Sequence, residues 1–226
     1  MKQDFQCKYC SAKFHKATTL HTHMCVKKQR YLDTEQPGPR IGFRAFQRFY
    51  ELTTRSKNVK SVQDFIDSPY YIDFAKFGNH LATLKPMYTD KYIEFVIMGG
   101  VKLKDWTKDS VYDLYIVDLV KKEPADSATD RSITTIIEWC TTNNILFDKF
   151  FVEVNANEAA YMIKVGKISP WVLYLAESGE ALMSRFNEDH SKMIGPAIDA
   201  GFWMRKFKKD TEDVIFIRAL LEQAGL

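Results

Sequence analysis

The feature that most constrains this chain is the placement of its cysteines, three of which fall in the first 25 residues. Two residues separate Cys7 from Cys10, so a tight turn can direct both thiolates at one ion. Twelve residues then separate Cys10 from His23, an interval that lets a ββα unit fold back and present an imidazole. The spacing predicts a small metal-binding unit at the amino-terminal end of the sequence.

The fourth ligand is less direct. A second histidine is expected with three to five residues between it and His23, but positions 27 to 29 hold two lysines and a glutamine, so Cys25 must substitute. On an ideal helix His23 and Cys25 point about 200° apart, and the helix must therefore end or unwind between them. The alternative ligand is His21, which shares a helical face with Cys25 but leaves the register set by Leu20. We favour the ligand set Cys7, Cys10, His23 and Cys25, with His21 as the substitute for His23.

The segment resembles the Cys2His2 finger family with a Cys2HisCys ligand set. Phe14 and Leu20 fit the apolar positions of such a finger and would make its miniature core. About 25 residues cannot bury enough apolar surface to fold unaided, so one Zn²⁺ ion would form the centre of the unit. We expect this zinc to be structural, since four protein ligands leave no open position for water or substrate.

The finger resemblance also implies positions that face nucleic-acid bases. They correspond to Lys16, Thr19 and Thr22, where lysine can donate to guanine and threonine can bond or touch a methyl group. A single finger covers about three base pairs. Sequence-specific binding would therefore need a second reading element, a partner, or strong phosphate contacts.

Charge is distributed unevenly along the chain. Residues 1–60 hold 13 Lys and Arg against 4 Asp and Glu, whereas the remaining 166 residues hold 19 against 25. A basic stretch joined to a finger favours binding of DNA or RNA through phosphate contacts. The flanking cations that we predict to contribute are Lys27, Lys28, Arg30, Arg44 and Arg48.

The pattern after the finger predicts a mainly α protein. Residues 1–30 form the expected finger, residues 31–40 a Pro/Gly linker around Pro37-Gly38-Pro39, and residues 41–226 a predominantly α-helical domain. Aromatic residues recur every three or four positions from Phe43 to Tyr50, which favours a helix core over a stacking surface for nucleic acid. Further helices are predicted after the N-cap Ser61, over 90–98 before Gly99, and over 156–164. The best strand signal is Phe150-Phe151-Val152-Glu153-Val154.

No catalytic constellation emerges, and we expect that the protein is not an enzyme. The sequence has no Gly-rich phosphate loop, no Gly-x-Ser-x-Gly elbow and no His-Glu-x-x-His motif. Glu188, Asp189 and His190 are adjacent, and adjacent helical residues do not face one another. A divergent nuclease with carboxylates that the sequence does not assemble is the third hypothesis.

Composition predicts the cellular setting. No apolar run approaches the roughly 18 residues that span a bilayer, and the amino terminus lacks the apolar stretch of a secretory signal. We therefore expect a soluble, cytoplasmic protein without a membrane partner. Reduced thiols in that compartment favour metal over disulfide for the clustered cysteines, and the isolated Cys140 is predicted to be a packing residue.

Several apolar and aromatic motifs of the body are similar to those of uncharacterised proteins of T4-like tailed bacteriophages. The motifs are Phe49-Tyr50-Glu51-Leu52-Thr53, Asp67-Ser68-Pro69-Tyr70-Tyr71, Ser169-Pro170-Trp171-Val172-Leu173-Tyr174 and Gly201-Phe202-Trp203. The resemblance implies a viral protein that acts in a bacterial host cytoplasm, and it implies no assigned activity.

Two functional hypotheses follow. In the first, the finger and the adjoining basic helix hold DNA or RNA, while the acidic helical body engages an unknown protein partner. In the second, the protein is an interaction or assembly module whose finger docks on another protein, without binding nucleic acid.

Overall fold

The computed structural model describes residues 5–54 and 58–226. The described chain is mainly α-helical, with a single two-stranded sheet near its amino-terminal end. The predicted fold class, a small ββα element followed by helices, is therefore confirmed. The chain divides into two compact units, Met1–Val111 and Tyr112–Leu226.

The first unit begins with the ββα element. Strands β1 (Phe5–Gln6) and β2 (Lys13–Phe14) pair antiparallel, with Phe5 opposite Phe14. Helix α1 (Ala17–Thr22) follows directly. The remaining helices of the unit are α2 (Val26–Asp33), α3 (Pro37–Thr54), α4 (Val62–Asp67), α5 (Tyr71–Leu84), α6 (Thr89–Met98) and a 3-10 turn at Leu103–Asp105.

Aromatic side chains fill the core of the first unit. Phe46, Phe65, Phe74, Phe77 and Trp106 are each at most 2% exposed. Phe74 meets the rings of Phe46 and Trp106 edge-on, at centroid distances of 5.4 and 5.6 Å. Such edge-to-face pairs are preferred because the positive ring edge meets the negative ring face. The core interpretation of these helical aromatic residues is confirmed.

Helices α3 and α5 approach closely because glycines line their contact. A Cβ atom on Gly78 would lie 2.0 Å from the carbonyl oxygen of Gly38, and one on Gly42 would lie 2.4 Å from that of Phe74. No side chain fits at these distances, so the two backbones touch directly.

The Pro/Gly segment lies inside a helix, which differs from the prediction of a linker. Helix α2 does end at Asp33, but α3 begins at Pro37, so the break covers only residues 34–36. Prolines are tolerated in the first helical turn because the N–H groups there have no intrahelical acceptor. The predicted domain boundary near residue 40 stays a prediction.

Helix α7 (Asp109–Lys122) runs across the division between the units, and the second unit continues with eight further α-helices. They are α8 (Ala125–Asn143), α9 (Phe150–Glu153), α10 (Ala156–Lys164), α11 (Pro170–Leu175), α12 (Gly179–Met183), α13 (Glu188–Ile194), α14 (Ala200–Lys209) and α15 (Thr211–Ala224), with a 3-10 turn at Phe147–Lys149. Trp171 and Trp203 lie in its core, with ring centroids 5.8 Å apart.

The predicted strand at residues 150–154 is wrong, because these residues form α9 and its end. A strand would send adjacent side chains to opposite faces, whereas Phe150 and Phe151 are both fully buried. The helix predicted over 156–164 is confirmed as α10, and Gly99 ends α6 as expected. Cys140 is buried in the core of this unit, as predicted for a packing residue.

Candidate metal centre

Four predicted ligands meet in one cluster. The donor atoms of Cys7, Cys10, His23 and Cys25 all lie within 4.8 Å of one another. The Sγ atom of Cys10 is 3.3 Å from Nε2 of His23. Cys7 is buried, and the other three residues are partly buried. Three sulfurs and one imidazole nitrogen thus form a site that could hold a metal ion.

The turn between the two strands positions the first cysteine pair. The backbone N–H of Cys7 donates to the carbonyl of Ala12 at 2.8 Å, and the N–H of Ser11 donates to the carbonyl of Cys7 at 2.9 Å. Ser11 adopts a left-handed conformation with φ of 60°, which reverses the chain between the strands. The backbone of the turn thereby places Cys7 and Cys10 next to each other.

The end of α1 resolves the geometry of the second ligand pair. The helix stops at Thr22, and both His23 (ψ 122°) and Cys25 (ψ 163°) are extended. The helix ends just before the first of these two ligands, so both lie outside it, and the condition that they do not share one continuous helix is met. His21 lies in the last turn of α1, is exposed, and is not part of the cluster.

The miniature core is small. The ring of Phe14 packs on that of His23 with centroids 4.7 Å apart, but Phe14 and Leu20 are only partly buried, and α1 has no buried residue. Apolar packing alone is therefore thin in this element, which makes the ligand cluster the main candidate for holding it together.

Local hydrogen bonds and neighbouring groups shift the pKa values of two of the thiols. A hydrogen bond from the backbone of Cys10, joined by one from Tyr9, lowers the pKa of Cys7. A backbone hydrogen bond from Ala12 also lowers the pKa of Cys10, but burial and the adjacent thiols of Cys25 and Cys7 outweigh it, and the net shift is upward. Several thiolates held this close repel one another, and a bound cation would offset that repulsion.

The base-facing candidates lie on exposed surface. Lys16 occupies the N-cap position of α1 without a capping hydrogen bond from its side chain, and Thr19 and Thr22 follow on the same helix. The hydroxyl of Thr22 donates to the carbonyls of Thr18 and Thr19, at 3.2 and 3.3 Å. Lys16 therefore presents its charge to solvent.

The three predicted cations of α2 contact the protein itself. Lys27 forms an ion pair with Asp67 at 2.5 Å, and the ammonium of Lys28 donates to the carbonyl of His23 at 3.0 Å. Arg30 donates to the carbonyl of Ile66 at 2.8 Å, and its guanidinium lies 4.5 Å from the ring centre of Tyr71. Lys27 and Arg30 thus fasten α2 to α4 and α5, a role that the sequence did not reveal.

The two predicted cations of α3 also have acidic partners. Arg44 pairs with Asp90, while Arg48 pairs with Glu51 at 2.8 Å and with Glu94 at 2.5 Å. Hydrogen bonds to Glu51 and Glu94 raise the pKa of Arg48. These arginines connect α3 to α6, so carboxylates of the same chain already neutralise them.

Comparison with known proteins gives no relative on which to base a function. No protein-family model, curated protein sequence or solved structure matches the chain. The resemblance to tailed-phage proteins stays a prediction. Within residues 5–54 and 58–226, no helix combines the length and the apolar character needed to cross a bilayer.

Proposed function

We propose that the cluster of Cys7, Cys10, His23 and Cys25 binds one structural Zn²⁺ ion and that the resulting finger binds nucleic acid. Zinc favours tetrahedral sites made of cysteine sulfur and histidine nitrogen, and this donor set supplies four such ligands. All four coordination positions are then taken by protein atoms. The ion would hold the element together rather than carry out a reaction.

The observation that carries the nucleic-acid assignment is the charge around the cluster. From Phe5 to Leu32 the sequence has six Lys and Arg residues and no Asp or Glu. Three thiolates bound to one Zn²⁺ leave a single net negative charge, so the loaded finger stays strongly positive. A surface of this kind attracts phosphates and accelerates their encounter with the protein.

The exposed lysines of the ββα element are the best candidates for the phosphate contacts. Lys13 and Lys16 are exposed, and neither forms an ion pair among the residues that the structure describes. The cations of α2 and α3 are engaged within the protein. We therefore assign the direct contacts to the finger and a supporting role to Lys27, Lys28 and Arg30, which hold α2 in place.

A salt titration with charge variants tests this assignment. Lys13→Gln/Lys16→Gln should lower the slope of log affinity against log salt by about 1.5, from roughly 0.7–0.9 per phosphate contact. Binding of labelled DNA and RNA by fluorescence anisotropy measures the slope. The matched control Lys85→Gln/Lys167→Gln removes two exposed charges elsewhere and should leave the slope near that of the wild type. Equal slopes for both variants and the wild type would contradict a finger-based contact.

One observation favours the second hypothesis, a finger that docks on another protein. Met24 and Val26 flank Cys25 and are 54% and 67% exposed, and Leu32 on α2 is 44% exposed. Exposed apolar side chains grouped on a surface are common at protein interfaces. Met24→Ser/Val26→Ser should abolish capture of a stoichiometric protein partner in this case, whereas the lysine variant should retain it.

A further inference from the structure

Helix α14 carries the densest group of positive charges in the second unit. Residues 112–226 hold 13 Lys and Arg against 18 Asp and Glu, yet four of those cations occupy five consecutive positions, Arg205 to Lys209. A local excess of this kind in an otherwise acidic unit produces a positive surface of limited extent.

The apolar side of α14 fixes the direction of its basic side. Trp203 is 1% exposed, and its indole N–H donates to the carbonyl of Ala197 at 2.7 Å. Phe207 packs on Trp171 and Trp203, with centroid distances of 5.0 and 5.5 Å. The opposite side of the helix therefore faces solvent in a fixed orientation.

Three cations on that side are available to a partner. Arg205, Lys208 and Lys209 are exposed and form no ion pair within the described part of the chain, and the two lysines stand three and four positions after Arg205. Residues at this spacing are neighbours on a helix surface. The fourth cation, Lys206, is engaged with Asp210 at 3.2 Å and lies 5.4 Å from the ring centre of Trp171.

A shallow cavity lies beside Arg205 and Lys209. It has a volume of about 260 Å³ and is lined by Phe202, Arg205, Lys206, Lys209 and Asp210. A further cation, Lys121, lies 5.0 Å from the ring centre of Phe202. Lysine and arginine side chains around an aromatic surface are the combination that nucleic-acid grooves use.

We propose that the exposed basic face of α14, formed by Arg205, Lys208 and Lys209, binds the phosphate backbone of a nucleic acid. An anionic membrane is the less suitable partner, because a helix that lies on lipid inserts its apolar face, and the apolar face of α14 is packed inside the unit. The three charges lie within about one helical turn, a rise of about 6 Å, which suits contacts with neighbouring phosphates of one strand. The inference does not depend on the finger, since all its residues belong to the second unit.

The test uses the full-length protein and Arg205→Gln/Lys208→Gln/Lys209→Gln. Labelled oligothymidine and a labelled mixed-sequence duplex serve as probes in salt-titrated anisotropy. We expect the salt slope to fall by about 2 or more, from roughly 0.7–0.9 per lost contact, and the affinity to fall with it. Lys85→Gln/Lys102→Gln/Lys167→Gln is the matched control, with the same loss of charge at exposed sites outside α14, and should keep the wild-type slope. Thermal melting by circular dichroism verifies that both variants are folded.

Two further arms separate the possible outcomes. The first arm uses Cys7→Ser, which removes one residue of the ligand cluster. If nucleic-acid binding persists in this variant and is lost when the α14 substitutions are added, the result supports this inference and contradicts the finger assignment. Binding that depends on Cys7 and ignores the α14 substitutions overturns this inference and leaves the finger assignment intact. The inference is also overturned if the α14 variant loses binding to phosphatidylserine vesicles but not to either oligonucleotide.

Discussion

Cys25 has two structural roles. Its sulfur belongs to the ligand cluster, and the same sulfur accepts a hydrogen bond from the backbone N–H of Lys28 at 3.4 Å, as the N-cap of α2. A side-chain acceptor at this position satisfies one of the unpaired N–H groups that open a helix. A serine at position 25 could retain the cap and would still remove a candidate metal ligand, so the two roles can be separated by substitution.

The choice between the two histidines gives the first prediction. His23→Ala should weaken zinc binding by more than about 100-fold, because loss of a ligand costs more than the 10–100-fold typical of its supporting partners. Metal content by elemental analysis and competition with a chromogenic chelator measure the effect.

His21→Ala is the matched control for this experiment, since His21 is exposed and lies outside the cluster. It should retain one zinc per chain with unchanged affinity. The reverse result, in which only the His21 variant loses metal, would contradict the ligand set.

His80 on α5 gives the second prediction. Its Nε2 atom is buried and has no hydrogen-bond partner among the residues that the structure describes. Burial lowers the pKa of His80, while Asp109 acts in the opposite direction. Below about pH 6.5 the unfolded chain takes up a proton before the native protein does, so the free energy of unfolding falls as pH falls. His80→Leu should therefore lose less stability than the wild type between about pH 7 and pH 5.

Urea denaturation at both pH values measures that difference. His21→Gln, which replaces an exposed histidine, should follow the wild-type dependence on pH. An identical loss of stability in the His80→Leu and wild-type proteins would show that burial does not control this titration.

Local signals explain which secondary-structure elements could be predicted from sequence. Ser61 caps α4 and forms a capping box with Asp64, whose carboxylate accepts from the Ser61 N–H at 2.8 Å. That signal spans four residues and is visible in the sequence. The strand prediction at residues 150–154 was wrong because a short, mostly apolar run does not distinguish a strand from a buried helical turn.

The glycines between α3 and α5 give an element-scale prediction. Gly78→Ala should destabilise the protein by about 1–3 kcal/mol, because its Cβ atom would meet the Gly38 carbonyl at 2.0 Å and force the helices apart. The gain from replacing a helical glycine with alanine, about 1 kcal/mol, is too small to compensate.

Gly201→Ala provides the contrasting change on α14. The nearest atoms to its Cβ would lie at 3.5 Å, an ordinary contact. The free energy of unfolding should therefore rise by about 0.5–1 kcal/mol, from helix propensity alone. Chemical denaturation of both variants decides the point, and a Gly78→Ala protein as stable as the wild type would contradict the close approach.

The ligand cluster and the flanking cations differ in how well the sequence alone could predict them. The ligand set depends on residues within 19 positions of one another, and local spacing was sufficient to predict it. The partners of the flanking cations lie far away in sequence, such as Ile66 for Arg30 and Asp90 for Arg44. Counting charges along the chain could not reveal which of them the fold neutralises.

Metal removal gives a prediction for the whole molecule. A chelator should leave far-UV circular dichroism nearly unchanged, because the finger contributes only the six residues of α1 to the helices. Tryptic cleavage at Lys13 and Lys16 should accelerate, since the element has little apolar packing besides the cluster. The unit Tyr112–Leu226 has its own core and should remain resistant. Loss of most helical signal on chelation would contradict this division of stability.

The attachment of α2 limits how this finger can be transplanted. A graft of residues 5–25 into another protein would keep the four ligands but leave behind the helix whose first turn Cys25 caps, and with it the docking of Arg30 and Lys27 on α4. A portable module should therefore include residues 5–71, or the segment that follows Cys25 should be redesigned. In contrast to a finger on a flexible linker, the ββα element continues directly into α2, and the contacts of α2 with α4 set its orientation.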